Sequence, residues 1–341
     1  MLWKGRPSDP GGVAQGRFGG QNGKMSIRRL LAFVLLSAAS PAALALTPAL
    51  PAPEVAPSEI VAAAPAEAWT TIASDQLLVM DLAPDAAGHA RRVVIQLVPA
   101  PWSQGWVGNI RKLAQAHWWD ATAITRVQDG YVVQWGDPDA ENKARAKPLP
   151  SGLLTTSQGG YVLTGGAAPP LSGPELADAP YSAKVRFYAG WPIAMEAGDA
   201  PATWPVHCYG TVGVGRDMPP DAGTGAELYA VIGQAPRQLD RNIAVVGRVI
   251  DGMEWLSSLP RGHGEIGFYQ TPTERTPIRS IRLGSEVPDL GTWQYLSTDS
   301  PSFARYVAAR ANRRDAFYVR PVGGVDVCNA PVPIRRAPAK R

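Results

Sequence analysis

ITRVQDGYVVQWGD, residues 124–137, sets a single arginine, Arg126, ahead of a short run of strand-forming residues. Tyr131, Val132 and Val133 are aromatic or β-branched and stand between Gly130 and Gly136, which predicts a short strand bounded by turns. Arg126, five residues before that strand, is expected at the lip of a sheet.

The chain around this stretch has 341 residues, 45% of them apolar and 18% charged, enough to build a core of ordinary size. Its 35 glycines and 33 prolines favour turns and short strands over long helices, so an all-β fold is expected. A net charge of +4 would suggest an acidic partner if it were spread over the domain. Instead, Lys4, Arg6, Arg17, Lys24, Arg28 and Arg29 face only Asp9 within the first 45 residues, and without that leader the balance falls to about −1. Nucleic-acid binding is therefore not expected.

In chain order, residues 1–24 are Gly-rich and precede Met25, which reads as an alternative initiator. Residues 25–45, MSIRRLLAFVLLSAASPAALA, combine a basic pair, an apolar run from Leu30 to Ala39 and a small-x-small end at Ala43-Leu44-Ala45. That is the plan of a secretory signal peptide, cleaved after Ala45. The run falls short of the ~20 apolar residues of a stable span, so no membrane anchor is expected after cleavage. The mature chain is expected in the periplasm or outside the cell.

Residues 46–68 are rich in Ala and Pro and read as an extended linker, with ordered structure beginning near Trp69. QLLVMDL (76–82) and RRVVIQLV (91–98) predict a hairpin. The spacing of Trp106, Val107, Ile110, Leu113 and Ala114 predicts a helix over 103–117 with one buried face. Residues 138–188, rich in Pro, Gly, Ala and Ser, read as a long surface excursion. PSFARYVAARANRR (301–314) has helical spacing, and the tail that contains it is expected to pack back onto the domain.

Position for position, residues 124–137 resemble the cyclophilin signature FHRVIxxFxxQGGD, with matches at Arg126, Val127, Tyr131, Gln134, Gly136 and Asp137 and departures at Ile124, Thr125 and Trp135. A second block follows in the family's order. AGWPIAMEAG from Ala189 resembles GPGxLSMANAG, and GTVGVGRD (210–217) resembles the GTxxMAR strand of bacterial members. GTGAELYA (223–230) stands where the family has SSQFFI, Leu239-Asp240 matches LD, and AVVGRVIDGM (244–253) matches VVFGKVxEGM. Asn109, Ile110 and Leu113 match the NFxxL of the family's first helix, so the resemblance spans about residues 74–260.

This resemblance implies a closed antiparallel β-barrel capped by two helices over residues 69–284, with an insertion at 138–188 and a C-terminal extension over 285–341. It also implies a peptidyl-prolyl cis-trans isomerase that needs no cofactor and acts on proline-containing polypeptide clients. By resemblance, Arg126 is the catalytic group and Gln134 orients the substrate backbone. Tyr131, Val132, Tyr229 and Leu239 line a proline pocket, and Gly215 and Arg216 fall on the strand that pairs with bound peptide. Glu227 stands at the family's glutamine, while Gln238 and Ile243 replace its tryptophan and histidine. These departures imply a slow or selective isomerase, with Glu227 placed to pair with Arg126 and weaken its donation. The alternatives left open are a proline-peptide-binding or chaperone module of the cell envelope and, more distantly, a structural envelope protein.

Other chemistry has little support in the residues. His89, His117, His207 and His263 lack ligand spacing, and His207 beside Cys208 is a neighbour pair rather than a zinc pattern, so no metal site is expected. GVGRD (213–217) holds only a G-x-G and reads as sheet and turn, and no GxSxG, HExxH or P-loop is present. Cys208 and Cys328 are either two buried thiols or one disulfide, and an exported chain favours the disulfide.

Overall fold

Inward- and outward-facing residues alternate along the central strands of the computed structural model, which describes residues 55–338; the predicted signal peptide at 25–45 lies outside them. The described chain opens with α1 (Pro57–Ala62), β1 (Trp69–Ile72), β2 (Leu77–Leu82), β3 (Arg91–Leu97) and α2 (Gln104–Gln115). It continues through β4 (Ala123–Val127), β5 (Val132–Gly136), β6 (Ser172–Ala177), β7 (Lys184–Tyr188), β8 (Trp191–Met195) and β9 (Thr203–Pro205). Then come β10 (Thr211–Val214), β11 (Leu228–Val231), β12 (Val245–Asp251), α3 (Met253–Ser257), β13 (Thr276–Leu283), β14 (Trp293–Leu296), α4 (Pro301–Ala311) and β15 (Ile334–Arg336).

Eight strands close an antiparallel barrel in the order β10-β11-β5-β4-β13-β2-β3-β12, with β12 pairing back onto β10. Period-two alternation sorts each strand's side chains between two faces. Leu78, Met80, Val93, Ile95, Val133, Trp135, Leu228 and Ala230 point into the main core, while Val79, Val94, Val132, Tyr229 and Val231 belong to separate clusters on the outer face. α2 completes the core with Trp106, Val107, Ile110, Leu113 and Ala114, and α3 adds Leu256. The predicted hairpin is the β2–β3 pair, in which Leu82 faces Arg91.

The segments flanking the barrel form two further sheets, β1-β14-β15 and β6-β7-β8-β9. The β1-β14-β15 sheet packs Ile72 and Trp293, together with Leu290, against the outer residues Leu77, Val79 and Val94. A third cluster joins Val185, Phe187 and Trp204 of the four-stranded sheet to Phe303, Tyr306 and Val307 of α4. Ser300 caps α4 by accepting a hydrogen bond from the Phe303 N–H, and Pro301 occupies its first turn. The tail is tied down by a Cys208–Cys328 disulfide that spans a sequence separation of 120.

Two sequence expectations change here. Part of the supposed linker is ordered: α1 forms at 57–62, and Ala64 and Ala68 are buried in the cluster that contains α4. Small alanines allow close packing without the large apolar residues that usually betray a core segment. The 138–188 stretch is likewise not all loop, because it supplies β6 and β7. β6 escaped notice because of its six residues only Leu176 is buried, and a bulge separates Ser172 from Leu176.

Candidate functional site

Arg126 lies within β4, in the wall of the barrel rather than at the lip of a sheet, and β5 begins one residue after Tyr131. A register shift between Ile124 and Arg126 sets Arg126 opposite Gln134 of β5, and Gln134 in turn opposes Tyr229 of β11. Three adjacent strands therefore bring Arg126, Gln134, Val132 and Tyr229 to one patch of the outer face.

Arg126 is only 2% exposed. Its Nη1 donates to Gln134 Oε1 at 3.0 Å, its Nε donates to the Ile266 carbonyl at 2.7 Å, and its Nη2 donates to Gln128 Oε1. The rings of Tyr131 and Phe268 flank it at 5.8 and 5.5 Å from the guanidinium carbon. Burial lowers its pKa, opposed by the charges of Tyr131 and Glu227. An arginine starts so far above neutrality that it stays charged there. A guanidinium has five N–H groups, so these three bonds leave two outside the hydrogen bonds formed among the described residues.

Gln134 turns its amide nitrogen toward Glu227 and donates to Oε1 at 2.5 Å. Among the described residues Glu227 and Arg126 form no direct ion pair, contrary to the sequence expectation; Gln134 stands between them. Burial raises the Glu227 carboxyl above its usual range, against the opposing pull of the Gln134 hydrogen bond. The loop before Glu227 is stapled to α2: Trp106 Nε1 donates to the Ala222 carbonyl at 3.0 Å, and Asn109 Nδ2 donates to the Thr224 carbonyl at 3.0 Å.

Beside the arginine, Val132, Tyr229, Val231 and Ile243 form a buried apolar floor, with Tyr131 and Leu239 half-buried at its edge. The sequence-derived pocket residues are thus brought together, and Ile243 joins them. Gly213 and Gly215 face this patch from β10 and the residues just after it. A Cβ on Gly213 would land on the Tyr229 hydroxyl, and one on Gly215 would come within 2.8 Å of Glu227 Cγ. Arg216 is committed elsewhere, its Nε and Nη2 donating to the Asn242 carbonyl at 3.2 and 2.9 Å and its Nη1 to the Asp217 carbonyl. Gln238, at the family's tryptophan position, is exposed.

Sequence reasoning missed Gln128, Ile266 and Phe268, which complete the shell around Arg126. It also left His207 without a role. That residue is fully buried and meets the Tyr229 hydroxyl at 2.9 Å. Gln128 lay inside the quoted motif and could have been found by asking what else a buried guanidinium needs. Residues 266 and 268 are distant in sequence and carried no local signal. Cavities of about 800, 610 and 280 Å³ lie along α4 and along β7–β8, away from Arg126.

A family model described as cyclophilin type peptidyl-prolyl cis-trans isomerase matches residues 90–283, more than half of the chain. Among solved structures, cyclophilin AquaCyp293 from Hirschia baltica is similar at 20% identity and a TM-score of 0.56, over 78% of this chain and 92% of that one. A cyclophilin-type isomerase of Cryptosporidium parvum matches at 12% identity and a TM-score of 0.36, over 61% and 97% of the two chains. A search of curated proteins returns no match.

Proposed function

The chain belongs to the cyclophilin-type peptidyl-prolyl cis-trans isomerase family, and on that premise we propose that Arg126 and the apolar floor beside it form the isomerase site, used on proline-containing segments of exported proteins. The chemical task is rotation about an X-Pro amide, against a barrier of ~18–20 kcal/mol set by amide resonance. Uncatalysed, it takes tens to hundreds of seconds. Neither a nucleophile nor a proton shuttle is required, because no bond to a heavy atom is made or broken.

What lowers such a barrier is a donor aimed at the amide as resonance is lost, in a site that keeps water away. The observation that carries the reading is the pairing of these two requirements in one place. Arg126, held by Gln134, Gln128 and the Ile266 carbonyl, borders a floor built from Val132, Tyr229, Val231 and Ile243. The floor receives the proline ring, and the guanidinium presents its remaining N–H groups to the twisting amide. Tyr131 and Leu239, half-buried at the edge, are the side chains that move to admit the ring.

Arg126→Ala tests the assignment in an isomerisation assay on an X-Pro peptide. Loss of a preorganised donor is expected to lower kcat/KM about a hundredfold or more. Equal rates for the two proteins would remove Arg126 from the mechanism. The predicted signal peptide and the Cys208–Cys328 disulfide support action in an oxidising compartment outside the cytoplasm. Cell fractionation that finds the mature chain in the cytoplasm would overturn that part. The exposed Gln238 favours a second reading, a proline-peptide binder with weak turnover, distinguished by peptide affinity without rate enhancement.

A further inference from the structure

Tyr229 brings a hydroxyl into the apolar floor, and a phenol buried among Val132, Val231 and Ile243 is costly unless it is hydrogen-bonded. Its partner is His207, whose Nε2 lies 2.9 Å away, with the two rings nearly parallel at an interplanar angle of 10°. On the other edge of the imidazole, Nδ1 lies 2.8 Å from Asp240 Oδ1, which also accepts from the His207 backbone N–H at 3.0 Å. Asp240 Oδ2 accepts from Arg237 Nε at 2.8 Å, and both Nη groups of Arg237 donate to the Asp178 carboxylate at 2.7 Å. Ser182 Oγ completes the set with a bond to Asp178 Oδ2.

The chain of bonds has a direction. Burial disfavours the ionised form of Asp240, but hydrogen bonds from His207 and the charge of Arg237 outweigh it and keep the carboxyl below its ordinary range. A carboxylate facing Nδ1 places the imidazole proton on that nitrogen. Nε2 is then the acceptor, and the Tyr229 hydroxyl donates to it. From Tyr229 to Asp178 every member is buried, His207 at 0% and Tyr229 at 1% exposed, and only Ser182 at the far end is half-buried. Asp178 follows β6 in the segment unmatched by the signature blocks, so the relay ties the β6 edge of the four-stranded sheet to the floor of the site.

We propose that His207 is a positioning residue for proline binding: through the Tyr229 hydroxyl it fixes the ring that forms the pocket floor, and Asp240, Arg237 and Asp178 hold it in place. The proposal rests on the reading of the Arg126 patch as the isomerase site. Tyr229→Phe keeps the ring and removes the hydroxyl, and His207→Gln removes the imidazole acceptor. Each is expected to raise KM about two- to tenfold, the worth of one neutral hydrogen bond, and to lower kcat/KM to match.

The decisive readout is a double-mutant cycle in KM. If His207 acts through the hydroxyl, His207→Gln adds nothing in the Tyr229→Phe background. A merely structural histidine would lower the melting temperature and leave KM alone. Unchanged KM in Tyr229→Phe, or additive effects in the double variant, would overturn the proposal. Should His207→Gln fail to fold, Tyr229→Phe alone decides through its KM. A wild-type protein inactivated by Arg126→Ala but with KM indifferent to Tyr229→Phe sinks this proposal only. A wild type unaffected by Arg126→Ala sinks the site assignment beneath it.

Discussion

Arg126 and Glu227 are joined through Gln134, which accepts from the arginine with its carbonyl oxygen and donates to the glutamate with its amide nitrogen. Arginine can only donate, so it fixes which end of the amide faces it. Removing the link by Gln134→Ala strands a buried guanidinium N–H and a carboxyl oxygen. A loss in kcat/KM of about ten- to hundredfold is expected, from 1–3 kcal/mol for a buried group left unpaired. Peptide isomerisation rates on a variant with a native circular dichroism spectrum check it, and a wild-type rate would remove Gln134 from the site.

The Glu227 carboxyl gives the protein a pH signature. Because burial raises its folded pKa above the ordinary glutamate value of 4.5, the folded chain holds this proton more tightly than the unfolded chain. The stability linked to it is fully present below about pH 4.5 and is lost as pH rises through the raised folded value. Glu227→Gln has no such proton to lose. The gap in melting temperature between variant and wild type is therefore expected to widen in the variant's favour from pH 4 upward, and parallel profiles would refute the assignment.

Gly213 has no room for a side chain because the Tyr229 hydroxyl fills the space above it. Gly213→Ala is expected to cost about 1–3 kcal/mol by overpacking and to push Tyr229 out of place. Denaturant unfolding measures the first effect and KM for an X-Pro peptide the second. A variant as stable and active as wild type would contradict the observed crowding.

Cys208 and Cys328 close a loop with a sequence separation of 120 and anchor the tail beside His207, in the connection between β9 and β10. Replacing both with serine is expected to remove about 2–4 kcal/mol of stability, chiefly by freeing the unfolded chain. Thermal melts with and without reductant should shift for the wild type and not for the double variant.

The barrel and the core of its site were legible because strands write their two faces as alternating letters, and the 124–137 stretch held Arg126, Gln134 and Val132 together. Tyr229 and Leu239 needed the second block of resemblance, since spacing alone cannot say which distant strands become neighbours. The additions were harder to see. α1 is a six-residue helix whose following segment packs through the small side chains of Ala64 and Ala68, and β6 shows the core only Leu176. His207 carried no ligand pattern, because its partners Tyr229 and Asp240 come from separate segments. The Arg126–Glu227 pair was misjudged for a related reason: charge suggests attraction, but register placed Gln134 in the gap.

Val132 to Trp135 face alternately outward and inward, so two properties of the protein are encoded on interleaved positions of one short segment. A scan across these four residues should therefore divide by parity, with Val133 and Trp135 governing melting temperature and Val132 and Gln134 governing turnover. Robustness and reactivity can then be tuned by substitutions a single peptide bond apart.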